Sequence, residues 1–245
     1  MQKIWFDEEI AATYDEDSGE RFDPGLLSAT TEVLAGLAGD GRALELAIGT
    51  GRVAVPLAER GVPVSGIELS PYMLTRLRAK PGAAGIEAVE GDMTTTRVDG
   101  EFALVYLVYN TITNLTEQDE QVACFENAAR HLRPGGCFVI EVYLPILRKL
   151  SPGDRFHVFA EEPGYHAFDE YADAASQLHW SHHIRMRPDG SYRRFSAPFR
   201  YVWPAELDLM ARIAGLRLKE RWAGWDRAPF TATSEQHVSV WEKPA

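Results

Sequence analysis

The stretch from Phe102 to Tyr109 is the longest uninterrupted apolar run in the chain, and it constrains the fold more than any other feature. A strand with one wet face alternates apolar and polar residues. Phe102 to Val108 does not alternate, so it reads as a strand buried on both faces, the mark of a parallel sheet covered by helices. The run is far too short to cross a bilayer, which takes about 20 residues.

The flanking sequence supplies the rest of such a sheet. Arg42 to Ala47 reads as a first strand, followed by a glycine turn and a helix over about Gly51–Arg60. Val62 to Ile67 reads as a second strand, and Ser70-Pro71 opens a second helix, with serine as cap and proline at the first helical position. Ile86 to Val89 is a weak third strand. Thr116 to Asp119 has a capping-box form, and Val122, Phe125, Ala129 and Leu132 follow as one helical stripe. Arg133-Pro134-Gly135-Gly136 stops that helix before a strand over Cys137–Tyr143. Leu216 to Trp222 and His237 to Trp241 close the sheet, and the segment up to about Leu37 is expected to be helical.

Strands alternating with helices predict an α/β fold: a Rossmann-like, doubly wound, mostly parallel seven-stranded sheet. Four segments are expected, namely an N-terminal helical cap (1–39), a core (40–149), an antiparallel β insertion (150–203) and a C-terminal helix with strands that complete the sheet (204–245). The insertion is legible as two alternating runs around a Pro188-Asp189-Gly190 turn. In the first run Leu178, Trp180, His182, Ile184 and Met186 share one face, and Gln177, His179, Ser181, His183 and Arg185 share the other. In the second, Phe195, Ala197, Phe199 and Tyr201 share a face.

In open α/β sheets ligands bind beyond the carboxyl ends of the strands. The first strand there ends in Glu45-Leu46-Ala47-Ile48-Gly49-Thr50-Gly51-Arg52. The glycines permit a sharp turn and a close ligand, and the next helix offers free N–H groups. The same residues fit a tight structural turn, or a dinucleotide fingerprint Gly49-x-Gly51-x-x-Ala54. Glu68 stands at the next strand tip, where a carboxylate accepts two ribose hydroxyls, though it would also suit a helix start. Asp92, at the third tip, is placed to accept from an adenine amino group, or to make a plain turn.

The ordered set Leu44 to Gly51, Gly66-Ile67-Glu68-Leu69-Ser70, Gly91-Asp92-Met93 and Leu132-Arg133-Pro134-Gly135-Gly136 resembles the class I S-adenosylmethionine-dependent methyltransferases, over roughly residues 10–145. Ala47 departs from the glycine many members carry there. The insertion after the fifth strand resembles the small-molecule branch. The resemblance implies S-adenosylmethionine as cofactor and S-adenosylhomocysteine as product. Gly49 and Gly51, with Ala47, would lie beside its methionine part, Glu45 would face its amino group and Arg52 its carboxylate. Glu68 would hold the ribose, Leu69 and Met73 would pack on the adenine, and Asp92 and Met93 would hold its edge. Tyr14 would close over the cofactor as part of an N-terminal lid, since an aromatic face suits a sulfonium cation. Tyr109 and Asn110 would end the fourth strand where the methyl is presented.

The expected activity is methyl transfer to O, N or C of a small aromatic or apolar acceptor. The acceptor class follows from the insertion, which is dense in aromatic residues that would either line a pocket or pack on the sheet. His182 is the first candidate base because it shares a face with Trp180 and Ile184, and Asp169-Glu170 is the second; an amine acceptor would need no dedicated base. The competing readings are an NAD-dependent oxidoreductase on a similar core and a non-catalytic cofactor-binding protein.

Lys+Arg 25 against Asp+Glu 36 leaves −11, which argues against nucleic acid or an anionic membrane as partner. The acidic N-terminus lacks the form of a signal peptide, and the two cysteines, Cys124 and Cys137, have no metal-ligand spacing. A cytoplasmic location with no metal is therefore expected. Oligomeric state is not legible.

Overall fold

A computed structural model describes residues 5–17, 19–187 and 189–245. Pro188 of the expected turn lies outside these. The chain opens with α1 (Glu8–Asp17), a 3-10 turn at Gly19–Phe22 and α2 (Pro24–Ala38). The Asp23 carboxylate accepts the Leu26 N–H at 2.8 Å and Pro24 sits in the first turn, so α2 starts where both signals agree. Then follow β1 (Ala43–Leu46), α3 (Ala54–Glu59), β2 (Val64–Glu68), α4 (Pro71–Arg78), β3 (Glu87–Glu90), β4 (Phe102–Leu107), α5 (Gln118–His131) and β5 (Leu132–Tyr143). Four strands of the insertion come next: β6 (Phe156–Glu162), β7 (Tyr165–Asp173), β8 (Leu178–Met186) and β9 (Tyr192–Arg200). The chain ends with α6 (Pro204–Ile213), β10 (Arg217–Trp222) and β11 (Gln236–Glu242).

Seven strands form one sheet in the order β10-β11-β5-β4-β1-β2-β3. Of the seven, β11 alone runs opposite to the rest. Successive residues of β4 enter opposite cores. Val105 and Leu107 pack with Phe125, Phe138 and Trp241 on the side of α5 and α6. Leu104 and Tyr106 pack with Leu34, Leu57 and Val139 on the side of α2 and α3. Burial on both faces is what the unalternating apolar run demanded.

The chain leaves β1 outward through β2 and β3, then returns to β4 on the other side of β1. The switch point between β1 and β4 opens a crevice at their carboxyl ends. Gly66 lets the Ile48 side chain cross β2 closely, since a Cβ there would meet Ile48 Cδ1 at 2.4 Å. Among the described residues, no helix is long and apolar enough to cross a membrane.

Several boundaries differ from expectation. The helix after the glycine turn begins at Ala54 rather than Gly51, because Gly51 adopts φ +79° and a Cβ on it would strike Leu77. The cap of α5 is Glu117, one residue later than Thr116; Glu120 Oε2 accepts the Glu117 N–H at 3.2 Å. Strand β5 starts at Leu132, directly after the helix, because Leu132 already pairs with Phe102. The insertion is, as expected, antiparallel: a four-stranded sheet, β6-β7-β8-β9, whose last two strands are the hairpin read from sequence.

A candidate cofactor pocket and a neighbouring acceptor cavity

Two cavities meet above the switch point. The smaller, about 310 Å³, is lined by Ala47, Gly49, Glu68, Leu69, Met73, Asp92 and Met93, with Tyr14 from α1 above. The larger, about 570 Å³, lies under the insertion sheet and takes Tyr109 and Asn110 into its wall. Five residues line both: Phe6, Tyr14, Thr111, Asn114 and Phe199.

Glu68 is the polar hinge of the smaller cavity. Its Oε2 accepts the Gly49 N–H at 2.9 Å and its Oε1 the Ser70 N–H at 2.8 Å. Burial pushes its carboxyl above the ordinary range, opposed by these backbone donors. Each oxygen keeps a second lone pair for a hydroxyl. Asp92 Oδ1 accepts both the N–H and the hydroxyl of Thr94 at 2.8 Å, leaving Oδ2 without such a bond. Ala47 takes φ 51°, a left-handed conformation that glycine adopts freely and alanine only under strain.

The N-terminal segment is strapped across this pocket. Thr50 donates to Asp15 at 2.6 Å, Ser70 to the Phe6 carbonyl at 2.6 Å, and Arg76 to the Ala11 and Ala12 carbonyls. Tyr14 is thereby held over the junction, edge-on to Phe6.

Three of the expected cofactor residues line neither cavity. Gly51 shapes the turn. Arg52 donates to the Arg21 carbonyl at 3.0 Å and stands 5.7 Å from the Tyr109 ring centre. Glu45 lies beneath the pocket floor, 3% exposed, accepting the Tyr106 hydroxyl at 3.0 Å. Burial pushes its carboxyl to about 8, with the Tyr106 bond and nearby Arg52 opposing. A carboxyl whose folded value is raised binds its proton more tightly folded than unfolded. Stability therefore falls as pH rises from the ordinary 4.5 to about 8, and levels off above. Glu45→Gln is expected to remove this slope, about 1.4 kcal/mol per pH unit, as read by urea unfolding across that range.

His182 also lines neither cavity. Its Nδ1 lies 2.8 Å from Ser196 Oγ and its Nε2 3.5 Å from a Glu170 carboxylate oxygen. Strand alternation explains this. The face that looks more apolar in sequence, with Trp180 and Met186, is turned outward, and these two are 39% and 49% exposed. The face carrying His179, Ser181, His183 and Arg185 roofs the larger cavity. The same alternation separates the second candidate pair: Asp169 lines the cavity, while Glu170 sits with His182. Burial pushes Asp169 up to about 6 and His183 down to about 4.

Sequence reasoning also missed Glu141. Tyr109 and Asn110 both have positive φ, 58° and 59°. Two consecutive left-handed non-glycine residues cost of order 1–3 kcal/mol each. Glu141 holds them there, its carboxylate accepting the Tyr109 N–H at 2.8 Å and the Trp225 indole N–H at 2.7 Å. Its backbone carbonyl accepts the Asn110 N–H at 3.0 Å. Nothing local in sequence connects Glu141 to that turn.

The comparisons with known proteins now bear on this geometry. A methyltransferase domain signature matches residues 43–136. The chain is similar to the cypemycin N-terminal methyltransferase of a Streptomyces species, 31% identical over 95% of this chain and 98% of that one. The chain belongs to the class I S-adenosylmethionine-dependent methyltransferases. Its structure is similar to the CcbJ methyltransferase from Streptomyces caelestis, with TM-score 0.89, 36% identity and full coverage of both chains. The SAM-bound amino pentose methyltransferase CalS10 from Micromonospora echinaspora shares the fold, with TM-score 0.70, 20% identity and 99% of each chain covered. The cofactor of this methyltransferase is S-adenosylmethionine. The smaller cavity fits it, with a glycine turn at one end and, at two strand tips, the carboxyl groups of buried Glu68 and half-buried Asp92. The oxidoreductase reading is thereby set aside.

Proposed function

We propose that this methyltransferase transfers a methyl group to a nitrogen of a small acceptor with an aromatic or apolar body, held in the larger cavity. The observation that carries this reading is the set of five residues common to both cavities. A donor in one and an acceptor in the other would face each other across Phe6, Tyr14, Thr111, Asn114 and Phe199, the residues common to both cavities among those described. Nitrogen is favoured because the cypemycin relative is named for methylation at a peptide N-terminus.

In the smaller cavity Glu68 would hold the ribose hydroxyls, Asp92 and Met93 the adenine edge, and Leu69 and Met73 its face. Gly49 would leave room for the methionine part. Bound there, S-adenosylmethionine supplies an electrophilic methyl group on a sulfonium. Tyr14 and the strapped N-terminal segment would exclude water, and the cavity walls would hold the acceptor in line, so positioning provides much of the rate. Tyr165, Tyr171, Phe195 and Phe199 give the acceptor cavity its apolar walls.

Calorimetric titration with S-adenosylmethionine should show one site per chain; no heat at millimolar cofactor contradicts the pocket assignment. Turnover to S-adenosylhomocysteine across matched aromatic amines and phenols tests the atom. Product with amines is expected, and product with phenols alone overturns the nitrogen reading.

A further inference from the structure

Among the described residues three carboxylates line the larger cavity, and two of them are held by cations. Asp17 pairs with Arg185 at 3.3 Å, and Glu235 pairs with Lys149. Asp169, on β7, is different. It is half-buried, no cation among the described residues stands within ion-pair distance of it, and its hydrogen-bond partner is the Ser181 hydroxyl. A carboxylate offers about four lone-pair sites, so most of its capacity is unused. A charge drawn out of water without a counter-charge is costly, and on a cavity wall it points to a cation that arrives with the ligand.

The strand register shows what surrounds this carboxylate. His157, Asp169, Ser181 and Ala197 are successive partners across β6, β7, β8 and β9, so they form one row across the insertion sheet. The first three line the larger cavity and Ala197 lines the smaller, so the row leads from the acceptor cavity to the donor pocket. Rows on one face of a sheet repeat every second residue, about 7 Å apart. On one side of this row His179 lies between Tyr171 at 4.9 Å and Phe199 at 5.5 Å. On the other, His183 lies against Phe159 at 5.6 Å and Phe195 at 5.9 Å. All six rings line the larger cavity. A carboxylate between two rows of rings suits an organic ammonium ion. The oxygens accept its N–H groups, and the rings favour its charge and pack on its carbon body.

We propose that Asp169 is a specificity-determining residue of the acceptor cavity: it takes up the acceptor as a protonated aliphatic amine, an ammonium ion seated on the carboxylate between the two aromatic rows. This rests on the nitrogen reading above and narrows it to basic amines. The other titratable groups that face the seat leave it free for a cation. Burial pushes His157 down, and His179 and His183 down to about 4, so these rings stay neutral and do not repel an ammonium ion. Burial pushes the Tyr171 hydroxyl up, so it keeps its proton. Asp17 and Glu235 already have their own cations.

Benzylamine and benzyl alcohol share a shape and differ in charge. With the chain loaded with S-adenosylhomocysteine at about pH 7.5, benzylamine should bind about tenfold more tightly, the difference a charge-assisted hydrogen bond makes at a half-buried site. In Asp169→Asn, which keeps the shape of the side chain and loses its charge, the two should bind within about twofold of each other. The wild-type chain gives a second readout that stands even if the variant fails to fold. Burial holds the Asp169 carboxyl up at about 6, and benzylamine stays charged throughout the acid range. The preference should therefore fade as pH falls through that value, and be gone near about pH 5, because protonation removes the carboxylate while the neighbouring histidines stay neutral. A preference that survives in Asp169→Asn, one that stays level as the carboxylate is protonated, or none in the wild-type chain overturns the proposal. Failure of the wild-type chain to take up S-adenosylhomocysteine would instead overturn the pocket assignment, and methyl found on oxygen would overturn the nitrogen reading.

Discussion

Glu68→Ala is expected to weaken S-adenosylmethionine binding about a hundredfold. Its carboxyl group accepts the N–H groups of Gly49 and Ser70 and, in the proposed complex, the two ribose hydroxyls. Hydrogen bonds to a charged group contribute roughly 1.5–3 kcal/mol each, and removal of the acceptor also leaves two backbone donors unpaired beside the ligand. Loss of about 3 kcal/mol in binding is the outcome. Glu68→Gln keeps one carbonyl acceptor and should lose less. Calorimetry gives the affinities, and thermal melts of the ligand-free chains separate a binding loss from a folding loss. A change below about threefold in Glu68→Ala would place the ribose away from this carboxyl.

The second large effect is on stability. Arg200, at the end of β9 and 5% exposed, ties the insertion to the core. It donates to Glu206 Oε1 at 2.6 Å, to Gln177 Oε1 at 2.9 Å and to Gln121 Oε1 at 2.6 Å, reaching α6 and α5 together. Burial pushes Glu206 up, but donors from Gln177, Arg200 and Gln118 outweigh it and hold the carboxyl below its ordinary value. A depressed folded value stabilises above the ordinary carboxylate range, and that contribution is lost as pH falls through the lowered value. Arg200→Met strands Glu206 without its cation, which costs about 3–5 kcal/mol, or a fall of roughly 10 °C in melting temperature for a chain of this size. The double variant Arg200→Met/Glu206→Leu should recover most of the loss, because both charges are then gone. If the single variant melts within about 2 °C of the parent, the network is not what fastens the insertion to the core.

Much of the central sheet is written locally. The run at Phe102 to Val108 can only be a strand covered on both sides, and Ser70-Pro71 caps a helix whatever surrounds it. The glycine turn and the strand-tip acids Glu68 and Asp92 are legible for the same reason, since strand ends in this architecture converge on one crevice. What eluded the sequence depends on tertiary placement. In the insertion both faces of β8 carry histidines, and the apolar residues share the face of His182 rather than the one that meets the cavity, so alternation alone does not say which histidine lines it. That His179 lines the cavity and the equally buried His182 lies on the opposite face, beside Ser196 and Glu170, is decided by how the four-stranded sheet docks. Glu141 is distant in sequence from the strained Tyr109–Asn110 turn it stabilises, and Phe199 reaches the junction only because β9 passes beside the turn at Thr111–Asn114. Glu45 sits at a strand-tip position in sequence, yet the β1 backbone turns it under the pocket floor toward Tyr106.

The most direct measurement is a crystal structure with S-adenosylhomocysteine bound. The ribose hydroxyls should lie on Glu68, the adenine beside Asp92 and Met93, and the sulfur at the junction facing Tyr14, Asn114 and Phe199, with the larger cavity left open for the acceptor. Product bound under the insertion sheet, or a sulfur directed away from that junction, would contradict methyl transfer across it.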